Sequence, residues 1–317
     1  MSTLDQPQTI AFPAPASSTQ EKPGGEVQDV APAFEAQGVW RLAFSVFVQN
    51  RLAVVGVGIV VFMVLFCFVG PLIYHTDQTD TNLLNDFLAP SSKHWLGTDD
   101  DGFDVIGRLM IGGQTSLEIG IAAALIATLF GVLWGAVAGF FGGWVDNVLM
   151  RFVDIMLAIP ALFLLLFLAV AFPRNVLTLI LVVSVTAWLI PARLVRAEAL
   201  TLRTREYVQA VTMMGGGGFR IVLRHIIPNS VGTIMVNATF QVADAILLVA
   251  AVNYLGLGIA PPATNWGAML SDGTTYIANG WWWLIYPAGL AIVLTVVAFN
   301  FIGDALRDAL EVRLQKR

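Results

Sequence analysis

The sequence predicts an all-α, polytopic membrane protein with six transmembrane helices, and three observations carry that expectation. Apolar residues make up 57% of the 317 and charged residues only 12%, against roughly 25% charged in a water-soluble domain. The charges cluster, leaving six long runs with at most one charge each, at 52–74, 119–141, 155–172, 176–192, 226–252 and 281–303. Lys and Arg also fall unevenly. Fourteen lie before the first run, between the second and third, between the fourth and fifth, or after the sixth, and three (Lys93, Arg108, Arg174) lie in the alternate segments.

Residues 1–36 hold five of the fourteen prolines among Ala, Ser, Thr and Gln. They lack the basic start and apolar core of a signal peptide, and are expected to form a disordered cytoplasmic tail. Residues 37–51 place Trp40, Phe44, Phe47 and Val48 at helical spacing, which predicts an interfacial amphipathic helix. The first span, 52–74, is long enough at 1.5 Å per residue to cross a hydrocarbon core of about 30 Å. Cys67 stands alone within it, so no disulfide is expected and its thiol reads as packing. An external loop over 75–115 follows, with seven Asp between Asp77 and Asp104.

The remaining five spans form a core over 116–303, interrupted by a polar segment at 197–228, and 304–317 is expected to be a cytoplasmic tail. Helices are the default for such runs, since lipid offers nothing to satisfy an open backbone group. The distribution of Lys and Arg places both termini in the cytoplasm. Trp281, Trp282 and Trp283 open the sixth span, where aromatic anchors belong. Asp154 is expected to pair with Arg151 or Arg193.

The fifth span carries Ser230, Thr233, Asn237, Gln241 and Asp244 at intervals of three or four, hence on one helical face. An Asp at mid-membrane costs about 2.5–3.5 kcal/mol on insertion scales. The stripe therefore reads as the lining of a translocation path, with interhelical hydrogen bonding as the plainer alternative. The Asp99-Asp100-Asp101 run reads as a turn and a receptor-facing surface. His75, His94 and His225 are too scattered for a metal site.

The segment "REYVQAVTMMGGGGFRIVLRHIIPN" (205–229) puts a soluble-looking hairpin between two spans. Four glycines should end one helix and Pro228 mark the entry to the next span. A phosphate-binding glycine loop is excluded, because none of the three Lys (Lys22, Lys93, Lys316) lies in a GK[ST] setting. Either a long connecting loop or a docking element for a cytoplasmic protein remains.

Gln209-Ala210, Gly215, His225 and Pro228 are similar in order and spacing to the "EAA" loop of ABC importer permeases, with Gln209 for the usual Glu and Val211 for the second Ala. "HWLGTDDDGFDVIGRLMIGGQTSL" (94–117) resembles the external stretch of dipeptide and oligopeptide permeases, with Phe103 and Gln114 where Arg is common. "MRFVDIMLAIP" (150–160), "NYLGLGIAPPATNWGAML" (253–270) and "FNFIGDALRDALEVR" (299–313) extend the resemblance over roughly residues 40–313.

That resemblance implies the type I importer permease (MetI-like) fold and the "C"-type subunit of the dipeptide, oligopeptide and nickel importer family, in the bacterial inner membrane. It implies a docking role for Glu206, Gln209, Ala210, Gly215, Arg220 and His225. It implies as partners a second homologous permease, two ABC ATPases that hold the ATP and Mg, an extracytoplasmic substrate-binding protein, a peptide substrate and membrane lipid. No cofactor in this chain, no nucleic acid and no catalytic group are expected. Other readings stay open: a nickel or small-solute importer, a partner-independent channel or secondary transporter, and a membrane sensor whose hairpin recruits a signalling protein.

Overall fold

The computed structural model describes residues 39–78 and 80–315; the expected disordered tail at 1–36 lies outside them. The described chain is helical. Helix α1 (Val39–Gln49) precedes α2 (Arg51–Phe68), whose first turn is capped by Asn50 accepting from Leu52 N at 3.0 Å. The side chain of Trp40 lies outside the described set, whereas Phe44 is exposed. The short α3 (Gly70–Ile73) begins with a proline in its first turn, which breaks the expected 52–74 span near Val69.

Helix α4 (Val105–Phe141) is 37 residues long, about 55 Å at the α-helical rise. The external loop expected over 75–115 therefore ends at Asp104. Its carboxylate accepts from Ile106 N at 2.9 Å and Gly107 N at 3.1 Å, a side-chain cap that starts the helix well before the uncharged run begins. Arg108 and Glu118 ride on this extension, beyond the apolar part.

The expected span at 155–172 is not one straight helix. Helices α5 (Gly143–Ala158) and α6 (Ala161–Ala171) meet at Pro160 with an 85° bend, because proline removes a backbone donor and disfavours helix in the residue before it. Helices α7 (Val176–Ala187) and α8 (Leu189–Leu202) bend by 42° around Trp188. Since α8 runs to Leu202, the opening of the polar segment expected at 197–228 is the end of a span helix. Among the described residues, four helices are long and apolar enough to cross a membrane, or up to six if each bent pair is one span.

Next come α9 (Glu206–Met213), α10 (Gly218–Ile221), a π-helical turn (Val222–Ile226) and α11 (Ile227–Asn229), then α12 (Val231–Tyr254), α13 (Trp266–Thr275) and α14 (Tyr286–Gln315). The expected separate tail at 304–317 is instead the continuation of α14 as far as Gln315.

Helix α4 is the axis of the bundle, packed against α8, α12, α7 and α2. Its approach to α8 is set by Gly131, Gly135 and Gly139, one turn apart. A Cβ on Gly131 would stand 2.6 Å from the Trp188 carbonyl oxygen, one on Gly139 2.6 Å from that of Arg196, and one on Gly135 would overlap that of Ala192. Backbone lies on backbone, the small-residue packing of membrane helices. Arg196 forks onto Asp146 at 2.5 and 2.7 Å, and Arg193 reaches Asp154 at 2.5 Å, tying α5 to α8. At the other end of α4, Trp266 is fully buried and donates through its indole N–H to the Leu109 carbonyl at 2.9 Å. Cys67 packs against Gly113 beside that indole.

Candidate functional site: hairpin, α12 face and loop end

The hairpin is built by its glycines. Helix α9 ends in a motif in which Gly216 N–H reaches the Val211 carbonyl at 3.0 Å and Gly215 N–H that of Thr212 at 3.0 Å. Gly215 sits at φ +80°, with open space where a Cβ would stand: it is the left-handed residue that a Schellman ending requires. Its three glycine neighbours are placed differently. A Cβ on Gly216 would meet Val211 and one on Gly218 would stand 2.9 Å from the Phe141 ring, whereas Gly217 stands in open space and has no such constraint.

After the turn, Pro228 cannot donate a backbone hydrogen bond, and the local helix widens so that Ile227 N–H reaches Val222 O. Asn229 Nδ2 donates to the His225 carbonyl at 2.6 Å and Ser230 Oγ to that of Ile226 at 3.1 Å. The hairpin is no loose flap. Val208, Ile221, Val222 and Ile226 are buried with Val132, Ala136, Val195 and Leu202, which seats it on the ends of α4 and α8.

Of the six docking residues implied by the resemblance, Glu206, Gln209, Ala210, Gly215 and Arg220 are exposed. His225 is half-buried, its ring 6.5 Å from that of Tyr207. Gln209 is engaged in donating to the Thr204 carbonyl at 3.3 Å. Sequence reasoning missed the apolar tip: Met213 and Met214 are 90% and 78% exposed, with Phe219 close behind at 59%. The signal was available, since neither methionine has a place in the hairpin's own core and both abut the glycine run.

The five-residue stripe on α12 is divided. Ser230 is buried and bonded within its own turn, and Gln241 is buried and donates to the Ala187 carbonyl at 2.7 Å. Thr233 and Asn237 are half-buried, Asn237 with its Oδ1 unpartnered. Asp244, at the middle of the helix, is exposed, flanked along one face by exposed Leu247 and Tyr254. The structure thus puts Gln241 to work between helices and leaves Asp244 on an uncovered surface.

The loop end is tied together by side-chain bonds. Asp104, besides capping α4, accepts from the Tyr74 hydroxyl at 2.9 Å and lies 2.9 Å from His94 Nδ1. Asp99 accepts from Phe103 N–H at 2.8 Å and Arg108 Nε at 3.3 Å, and Arg108 also donates to the Pro262 carbonyl and lies over the Phe103 ring. Phe87, at φ +47°, stacks on Trp281 at 4.0 Å and packs edge-on to Tyr276. The tryptophan triplet is thus partly spent inside the protein: Trp283 is buried and Trp282 half-exposed.

Residues 131–316, from the last third of α4 onward and including the hairpin and α12, match the family described as "Binding-protein-dependent transport system inner membrane component". The chain belongs to this family of transport-system inner membrane components. Residues 38–90 match a second description, the N-terminal TM domain of oligopeptide transport permease C. The chain is 41% identical to the oligopeptide transport system permease protein OppC of Bacillus subtilis over 278 residues, 88% of this chain and 91% of that protein. It is 39% identical to the dipeptide transport system permease protein DppC of Alkalihalophilus pseudofirmus, over 89% and 92% of the two. It is 38% identical to OppC of Escherichia coli K12, over 87% and 92%. As a member of this family the chain is a multi-pass membrane protein, and its α2, α4, α12 and α14 meet that description by length and hydropathy.

Proposed function

We propose that this chain is the "C"-type permease subunit of an ATP-driven importer of di- and oligopeptides in a bacterial inner membrane, both termini cytoplasmic. The peptide substrate is supported by the relatives, which are oligopeptide and dipeptide permeases. The coupling is supported by one structural observation above all: a hairpin seated on α4 and α8 but presenting an uncovered apolar tip. In this reading a partner ATPase binds ATP and Mg and grips the hairpin through Glu206, Gln209, Ala210, Gly215, Arg220 and His225. Displacement of the hairpin reaches α4 and α8 through the buried contacts of Val208, Ile221 and Ile226, because a packed core transmits strain rather than absorbing it. A second permease lies along the α12 face, and a substrate-binding protein delivers peptide to the loop end.

The test is reconstitution with the second permease, two ATPases and a binding protein in lipid vesicles. Peptide-stimulated ATP hydrolysis with peptide uptake is expected. Gly215→Pro cannot hold φ near +80°, so hydrolysis should persist while uptake falls at least about tenfold. Uptake without ATPase partners would instead favour a channel or secondary transporter, and transport of nickel but not peptide a metal importer.

A further inference from the structure

The loop end encloses a cavity of about 200 Å³ between the 99–101 segment, the start of α4 and helix α13. Its wall is acidic. Asp99 is satisfied by Arg108 and by backbone, and Asp100 accepts from the Tyr276 hydroxyl at 3.1 Å. Asp101 and Asp272 are left without an ion pair among the described residues. Thr264, only 6% exposed, lines the same cavity with a hydroxyl that no described residue engages. Phe87 and Trp281 pack on Tyr276 and hold its ring in place.

Partial burial, then the neighbouring carboxylates, push the Asp272 carboxyl above its ordinary value, and burial does the same to Asp99 despite Arg108. Arg108 lines the same cavity and opposes both shifts, but its ion pair is with Asp99, so Asp100, Asp101 and Asp272 share one cation without pairing to it. A metal ion is a poor candidate, since among the described residues no three His, Cys, Asp or Glu side chains are grouped to hold one. The carboxylates are spread around a space equal to a few water molecules, each about 30 Å³. That suits a cationic group on a short stem, with the Thr264 hydroxyl and an Asp oxygen as acceptors for its N–H bonds. It cannot admit a helix or loop of a folded partner.

We propose that this cavity is a subsite for a primary ammonium group, the free amino terminus of an incoming peptide, held by Asp100 and Asp272 with Thr264, while the exposed Asp101 adds negative charge at the rim. The assignment rests on the peptide reading above. A peptide's amino terminus carries the one charge every unblocked linear peptide shares whatever its side chains, so the subsite would recognise peptides as a class.

The experiment compares trialanine with N-acetyl-trialanine in vesicles holding the complete importer, with wild type, Asp272→Asn and Asp100→Asn permeases. The same binding protein serves every arm, so its own preference cancels between permeases. The expected result is a KM advantage for the free amine that shrinks about tenfold in each variant, the size of one lost ionic contact. Uptake of the acetylated peptide should not change. An advantage equal in all three permeases overturns the subsite while leaving peptide transport standing. Failure of the wild type to import trialanine at all overturns the peptide reading and this assignment with it.

Discussion

At the scale of single residues, the loop end shows the difference between an acid that is satisfied and one that is not. Asp104 is 4% exposed and has four partners at or below 3.1 Å, so it holds α4, Tyr74 and His94 together. Asp272 has no ion pair among the described residues and sits in the last turn of α13, where the helix dipole also disfavours negative charge. Its carboxyl is raised above 3.8 by partial burial and by the charges of Asp100, Asp99 and Asp101. A raised carboxyl penalises the folded state once ionised. The penalty is absent below the ordinary value, grows as pH climbs from there to the raised value, and is complete above. Asp272 is solvent-exposed, so screening keeps the effect small: Asp272→Asn should melt slightly higher than wild type near neutral pH, by about 1 °C at most, with the gap closing on titration towards about pH 4. A thermal-shift series across that range checks it, and a gap that widened on acidification would contradict the sign. These roles were only partly legible. The acidic composition of 75–104 was plain from the sequence, and the Asp104 cap and the Asp99–Arg108 pair are local, but the contacts of Asp100 with Tyr276 and of Arg108 with the Pro262 carbonyl come from far along the chain. The same distance hid the packing of Phe87 on Trp281, which turned an expected membrane anchor into an internal contact.

At the scale of elements, hydropathy located every apolar run but could not say how helices turn or touch. It measures composition, and a run broken by a bend scores like a straight one. Pro160 was in plain view inside the 155–172 run, yet only the packing of α5 on α8 through Asp146 and Arg196 shows that the chain exploits the break. The Gly131, Gly135, Gly139 spacing was likewise visible, but without knowing that α8 lies opposite, three glycines in an apolar run carry no address. The close approach makes them irreplaceable. A leucine at Gly135 would have to displace the Ala192 carbonyl and stands 2.9 Å from Arg196 N already at its Cβ, so separation of α4 from α8 is expected at a cost of at least about 1–3 kcal/mol. Gly58 on α2 meets nothing within 4 Å, and Gly58→Ala should be neutral or stabilising by about 0.5–1 kcal/mol. Detergent-solubilised melting of the two variants decides the matter: equal behaviour would show that the seam is not a tight backbone contact. The hairpin was the most legible element, because a glycine run and a proline are local signals. Its seating on α4 and α8 was not, since Val208, Ile221 and Ile226 look like any apolar side of a short helix until their partners are known.

At the scale of the whole molecule, the question is why α12 leaves Asp244 uncovered. The rest of the stripe shows what the chain does with polar groups it can use internally: Gln241 ties α12 to the end of α7, and Ser230 closes its own turn. Asp244 has no such partner among the described residues, and its face continues through Leu247 to Tyr254 with no other helix of the described chain over it. Left against lipid, an ionised Asp near the middle of a span would cost about 2.5–3.5 kcal/mol. A family member that works in a transport system has two ways to avoid that cost, a water-filled path or a polar group on a neighbouring subunit. The substitution Asp244→Leu separates them. If the residue lines the path, removing the charge eases insertion, leaves co-purification with the partner subunits intact, and lowers uptake by ~10-fold or more through loss of a polar step along the route. If Asp244 instead bonds to the neighbouring subunit, the same change strands that partner's polar group, and the complex loosens by roughly 1–3 kcal/mol. Co-purification and uptake measured on one preparation distinguish the outcomes, and wild-type uptake from an intact complex would remove α12 from the path altogether. We expect the first outcome, because Asp244 lies in line with half-buried Asn237 and Thr233 below it. With that outcome, the polar track running from mid-helix towards the hairpin would put the substrate's route beside the element proposed to receive the force.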